Sequence, residues 1–252
     1  MKLAFRQMGS GDPLIIIHGL FGSSDNWQTL GKQFAEDFSV YLVDQRNHGK
    51  SPHSDEFNYD LLAQDLNQFM EEQGIDQATF IGHSMGGKAV MRFAQLFPSK
   101  VRKVVVADMG VKSYSPHHHD VLRAFHAIDA DTLSSRSEAE ERIEAIIPEF
   151  GVRQFLLKNL YRKKEGGYGL RVNFRVMESE MDRVLEALPS EQAEVNALFI
   201  RGLKSNYVPD SDFGQIRTIF PKATFADLQA GHWLHAEDPQ GFYTIVKDFV
   251  TK

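Results

Sequence analysis

The 252-residue chain contains no cysteine. Disulfide frameworks, thiolate nucleophiles and cysteine-ligated metal centres are therefore excluded from the outset. It also lacks an uncharged apolar run of the length needed to cross a bilayer. The N-terminal Met1-Lys2-Leu3-Ala4-Phe5-Arg6-Gln7 has no apolar signal core and passes directly into a strand-like alternation. No membrane span is expected, and the cytoplasm is the default location. A basic excess is missing too. With 28 Lys+Arg against 34 Asp+Glu, the net charge is −6, and no basic stripe offers a nucleic-acid footprint. What remains is 42% hydrophobic and 25% charged residues, an ordinary soluble composition. The length is enough for one domain carrying an insertion. Nothing in it fixes an oligomeric state.

Short apolar runs punctuate the chain: Leu14-Ile15-Ile16-Ile17, Val40-Tyr41-Leu42-Val43, Ala78-Thr79-Phe80-Ile81, Val104-Val105-Val106 and Ala197-Leu198-Phe199-Ile200. They are continuous rather than alternating, as strands of a parallel sheet covered on both faces are. Helical patterns lie between them. Ala89, Phe93, Leu96 and Phe97 share a face, and Pro98 stops the run. Phe242, Ile245, Val246, Phe249 and Val250 form an i, i+3, i+4, i+7, i+8 stripe. Alternating strands and helices predict a doubly wound, mostly parallel α/β sheet. The alternation stops between about residues 111 and 190, where Glu, Arg and Lys accumulate at helical spacing. The expected layout is therefore a core of residues 1–111 and 191–252 with a helical cap over 112–190. Ser137 to Ile147 reads as an amphipathic helix, and Lys163-Lys164-Glu165-Gly166-Gly167 as an exposed turn.

Gly82-His83-Ser84-Met85-Gly86 is a Gly-x-Ser-x-Gly sequence between an apolar strand and an amphipathic helix. That context matches a nucleophile elbow, whose tight turn needs small flanking residues and lifts the serine hydroxyl beside a helix N-terminus. His18-Gly19-Leu20-Phe21-Gly22 follows an earlier strand and would bring a backbone N–H to the same place. The oxyanion donors expected are the amides of Met85 and Leu20, with Phe21 as the alternative loop donor. The base should come late in the chain. Gly231-His232 follows the strand-like Thr224 to Leu228, so His232 is the candidate, with His235 second.

The acid departs from the commonest pattern. The turn after Ala197–Arg201 reads Gly202-Leu203-Lys204-Ser205-Asn206, with serine where an aspartate is usual. Asp210 and Asp212 come later. Asp108, after Val104-Val105-Val106-Ala107, would stand at the same sheet edge one strand from Ser84, and it is the assignment made here. Aspartate at position 84, required for dehalogenase and epoxide-hydrolase chemistry, is absent.

These stretches resemble the α/β-hydrolase superfamily over nearly the whole chain. His18-Gly19-Leu20-Phe21-Gly22-Ser23 with Asn26-Trp27, Asp44-Gln45-Arg46-Asn47-His48-Gly49-Lys50-Ser51, Gly82-His83-Ser84-Met85-Gly86-Gly87 and Gly231-His232 are similar, more finely, to the YbfF-type bacterial esterases. The resemblance implies an acid placed as Asp108 is. It implies hydrolysis of carboxylic esters, with acyl-CoA thioesters as small-molecule substrates. It also implies that Arg171 and Asn173 form an Arg-x-Asn element near the pocket. Phe21, Trp27, Met85, Trp233 and the aromatic residues of the 112–190 segment are candidates for an apolar acyl pocket. Rival readings are a lyase of the menaquinone pathway or a carbon–carbon bond hydrolase on the same scaffold, and a non-catalytic binding protein of this fold.

This chemistry requires no metal or organic cofactor. His117-His118-His119 cannot turn three consecutive imidazoles toward one ion on a helix that rotates about 100° per residue. Asp44 and Arg46 are expected to tie their loop beside the elbow through charge-assisted hydrogen bonds.

Overall fold

The computed structural model describes residues 1–116 and 118–252. Strands β1 (Phe5–Met8) and β2 (Asp12–Ile17) are joined by a glycine turn, and α1 (Gln28–Phe34) leads to β3 (Phe38–Val43). There follow α2 (Tyr59–Gln73), β4 (Ala78–His83), α3 (Met85–Leu96) and β5 (Val101–Ala107). The chain then leaves the sheet for α4 (His119–Ile128), α5 (Arg136–Glu144), α6 (Phe150–Leu157), β6 (Leu160–Arg162), β7 (Tyr168–Leu170), α7 (Phe174–Ser179) and α8 (Met181–Leu185). It returns through β8 (Asn196–Gly202), α9 (Phe213–Ile219), β9 (Ala223–Leu228), α10 (Leu234–Glu237) and α11 (Pro239–Thr251). Among the described residues no helix is long and apolar enough to cross a membrane.

The main sheet has seven strands in the order β1-β3-β2-β4-β5-β8-β9, all parallel except β1, which runs antiparallel to β3. The continuous apolar runs are explained by burial on both faces. Ile15, Ile17, Phe80, Val104, Val106 and Phe199 pack on one side with α2 and α3. Ile16, Ile81, Val105 and Leu198 pack on the other with Leu30 and Phe34 of α1 and Phe242 and Val246 of α11. Helix ends follow local chemistry. The Asn58 side chain accepts from the Leu61 N–H at the start of α2, Gly74 in the left-handed region stops it, and Pro239 opens α11. Strand order reverses at β2 and β4, so the crevice beyond their carboxyl ends is where such a sheet binds ligands.

The 112–190 segment contains a feature that the sequence did not predict. β6 and β7 form an antiparallel hairpin around the Lys163–Gly167 turn, with Leu160 opposite Leu170. Strands of three residues are too short for a period of two to stand out. The helix expected at 137–147 ends earlier, at Glu144.

An unusual tie joins this segment to the sheet helices. Lys88 of α3 is fully buried, and its ammonium donates to the carbonyls of Leu185 and Glu186. The Tyr59 hydroxyl donates to the Val184 carbonyl at 2.6 Å. Burial pulls the Lys88 pKa down to about 8. The folded chain thus releases this proton while the unfolded chain still holds it, and stability climbs with pH between about 8 and the free-lysine range. Denaturant unfolding of the wild type and Lys88→Met should therefore show the difference shifting toward the wild type above pH 8, on the order of 1–2 kcal/mol by pH 10. A difference that stays flat across that window contradicts the assignment.

Candidate active site

The sharp turn after β4 follows from its glycines. A Cβ on Gly82 would stand 2.3 Å from the Gly86 carbonyl oxygen, and one on Gly86 2.4 Å from the His18 carbonyl oxygen. Between them Ser84 is held at φ 52°, ψ −122°, outside the ordinary regions for a side-chain-bearing residue. Its N–H donates to the Ala107 carbonyl of the neighbouring strand at 3.1 Å. The hydroxyl is thereby presented at the N-terminus of α3.

Three side chains meet there. Ser84 Oγ lies 3.0 Å from His232 Nε2, and His232 Nδ1 lies 2.8 Å from Asp108 Oδ2. Since the carboxylate can only accept, Nδ1 carries the hydrogen and Nε2 is left to receive the serine proton. Asp108 is completely buried and, like Ser84, sits in the left-handed region, at φ 49°. Its Oδ1 accepts the Gly202 N–H at 3.0 Å, and its Oδ2 accepts the Ser205 hydroxyl at 2.5 Å. The serine standing where an aspartate is usual therefore donates to the aspartate one strand away. Asp210 is turned to Arg201 and Asp212 to Lys112.

His232 is held by two further contacts, one on its ring and one on its backbone. Tyr207 stacks on it with ring centres 3.8 Å apart and planes at 16°, and His83 Nε2–H donates to the His232 carbonyl at 2.8 Å. Neither contact was legible in the sequence, because both partners lie far from His232 in the chain. His235 has another place: it is buried and stacks on Trp27 at 4.2 Å, and burial lowers its pKa to about 3, so it stays neutral.

The 18–22 loop abuts the elbow; a Cβ on Gly19 would be 3.2 Å from that of Ser84. The choice left open between Leu20 and Phe21 as second amide donor is narrowed by His48. The Phe21 N–H donates to His48 Nε2 at 3.1 Å, while His48 Nδ1–H donates to the Arg46 carbonyl. Burial drives the His48 pKa down to about 3, so the ring keeps the lone pair that occupies Phe21. His18 is similarly fixed: Nδ1–H donates to the Gly19 carbonyl and Nε2 accepts the Gln45 N–H, with burial lowering its pKa. Asp44 accepts the Ser24 and Lys50 amides, whereas Arg46 pairs with Asp65 of α2.

A cavity of about 560 Å³ opens over Ser84 and His232, walled mainly by apolar groups including Phe21, Trp27, Val121, Val152, Phe155 and Trp233. Phe21, Trp27 and Trp233, three of the expected pocket residues, line this cavity. Met85 instead borders a second, much smaller cavity that Ser84 also lines.

Arg171 and Asn173, expected as an Arg-x-Asn element near the pocket, are not among the walls of either cavity. They form a strut. The Asn173 N–H and side-chain amide donate to the Asn47 carbonyl and Oδ1 at 2.8 and 3.1 Å. The Arg171 N–H donates to the Asn159 carbonyl, and the Asn159 side chain donates to the Phe21 carbonyl at 2.8 Å. The Arg171 guanidinium lies over the Tyr161 ring. His117 of the histidine triplet lies outside the described residues.

Comparison with known proteins places these observations among relatives. The family described as "alpha/beta hydrolase fold" matches residues 12–132. Esterase YbfF of Escherichia coli is 35% identical, covering 96% of this chain and 94% of its own. The sn-1-specific diacylglycerol lipase ABHD11 of Danio rerio is 34% identical over 98% of this chain and 80% of its own. A solved structure described as a marine microorganism esterase superposes with a TM-score of 0.96 at 39% identity, covering 98% of this chain and 99% of the other.

Proposed function

The chain belongs to the α/β-hydrolase family, whose members similar to it include esterases and a lipase, and from that membership we propose that it is a serine hydrolase of carboxylic esters with Ser84, His232 and Asp108 as its catalytic residues. The observation that carries this reading is the unbroken hydrogen-bonded line from Ser84 Oγ through His232 to Asp108 at the floor of an apolar cavity.

Ser84 Oγ attacks the ester carbonyl carbon as its proton passes to His232 Nε2. The carbonyl oxygen gains the charge and is held by the N–H groups of Met85 and Leu20, the first supported by the positive end of α3. Asp108 holds the imidazole in the receiving tautomer and stabilises the imidazolium. The Nε2 proton then goes to the departing alkoxide as the carbon–oxygen bond breaks. Water, deprotonated by the same nitrogen, releases the acid from Ser84. A thioester such as an acyl-CoA, implied by the likeness to YbfF-type esterases, follows the same steps with a thiolate leaving.

Turnover of p-nitrophenyl acetate well above background, absent in Ser84→Ala, is the expected result. Background-level release with every p-nitrophenyl ester from acetate to hexanoate contradicts the reading and favours a lyase or a binding protein on this scaffold.

A further inference from the structure

Ser84 lines two cavities of very different size. The large one, about 560 Å³, has His232 in its wall. The small one, about 10 Å³, shares Leu20, Ser84 and His118 with it but is otherwise bordered by Met85, Met109, Tyr114, Leu185 and Tyr207, and not by His232. The large space is of ordinary ligand size. The small one has room for about one water-sized group.

The chemistry assigns the two sides of the ester to them. The tetrahedral carbon on Ser84 carries four groups: Oγ, the oxyanion, the acyl substituent and the leaving alkoxide. The oxyanion is directed to the Met85 and Leu20 amides. The alkoxide must stand next to His232 Nε2, because that nitrogen returns the proton as the carbon–oxygen bond breaks. It therefore extends into the cavity that contains His232. The acyl substituent is left with the cavity that His232 does not border, where Met85, Met109 and Leu185 limit the space.

On the reading that the chain is a serine hydrolase, we propose that the small cavity is the acyl subsite and that the enzyme removes acetyl-sized groups from bulky apolar alcohols or thiols. The size selectivity is built of buried side chains. Met85 belongs to the nucleophile helix, Met109 follows Asp108, and Leu185 sits on the segment that Lys88 ties down. Tyr114 is fixed as well: its hydroxyl accepts the Gly110 N–H at 2.7 Å and donates to the Tyr207 carbonyl at 3.0 Å. A longer acyl chain would have to displace groups that are already committed.

Two isomeric esters test this without altering leaving-group chemistry. Hexyl acetate and ethyl hexanoate have the same atoms, and both release a primary alkoxide. One puts the chain on the alcohol side, the other on the acyl side. The wild type should cleave hexyl acetate with a kcat/KM about 10–100-fold higher, since each methylene seated in an apolar cavity favours binding by a factor of up to about 4. Leu185→Ala should raise the ratio of ethyl butyrate to ethyl acetate turnover by about 5-fold or more, as truncation of a buried leucine opens space. Reading that effect as a ratio makes it independent of how much of the variant folds. Equal rates on the two isomers, or a preference for ethyl hexanoate, overturn the assignment while leaving the hydrolase intact. Cleavage of p-nitrophenyl acetate with none of hexyl acetate also overturns it. Inertness toward every ester, together with failure to cleave p-nitrophenyl acetate, defeats the proposed function itself and the subsite with it.

Discussion

Ser84→Ala should lower kcat by about 10⁶-fold, the loss expected when a nucleophile that acts as a unit with its base is removed. The expectation rests on the 3.0 Å contact between Ser84 Oγ and His232 Nε2. The residual rate would come from the Leu20 and Met85 amides and from binding alone. Stability should hardly change. The backbone bond from the Ser84 N–H to Ala107 survives the substitution, and alanine bears the same cost of positive φ that serine does. Parallel measurement of kcat and thermal midpoint therefore separates a chemical role from a structural one. A fall in activity matched by a fall in midpoint would contradict the assignment of Ser84 as nucleophile.

Asp108→Asn should cost about 10³–10⁴-fold in kcat, as loss of the acid does in comparable triads. In the wild type the carboxylate accepts from His232 Nδ1, from Ser205 and from the Gly202 amide. An asparagine can keep the Gly202 bond, but its NH₂ group then faces His232 and Ser205. The imidazole responds by placing its hydrogen on Nε2, where the Ser84 proton should arrive. The controls are the acids of the later turn. Asp210→Asn and Asp212→Asn should stay within about 3-fold of wild type, because the exposed Asp210 pairs with Arg201 and the buried Asp212 with Lys112, neither with the imidazole. The opposite ranking would move the acid back to the turn after β8.

The core strands and the elbow were legible because their signals are local. A run such as Ile15-Ile16-Ile17 is continuous since both sheet faces are covered. Gly82 and Gly86 are dictated by backbone atoms 2.3 to 2.6 Å from where a side chain would start. Asp108 could be placed by counting strands, as β4 and β5 are neighbours and end level, with His83 opposite Ala107.

Long-range contacts were out of reach. Nothing near Ser205 in the chain says that its hydroxyl turns to Asp108, 97 positions away, or that Tyr207 stacks on His232. The Arg171-x-Asn173 element has the composition of a binding motif. In the fold, its backbone amides and the Asn173 side chain are spent on Asn159 and Asn47, and Asn159 in turn holds the Phe21 carbonyl of the 18–22 loop. The competition between Leu20 and Phe21 was undecidable from a glycine-rich turn, and it is His48, 27 positions further on, that occupies the Phe21 amide.

The most direct test is covalent. An alkyl fluorophosphonate, attacked by an activated serine and trapped as a stable phosphonyl ester, should modify the wild-type chain once. Peptide mapping should place the adduct on Ser84, and Ser84→Ala should remain unlabelled. Esterase turnover with the adduct on another residue, or with Ser84 left unmodified at full inactivation, would contradict the account.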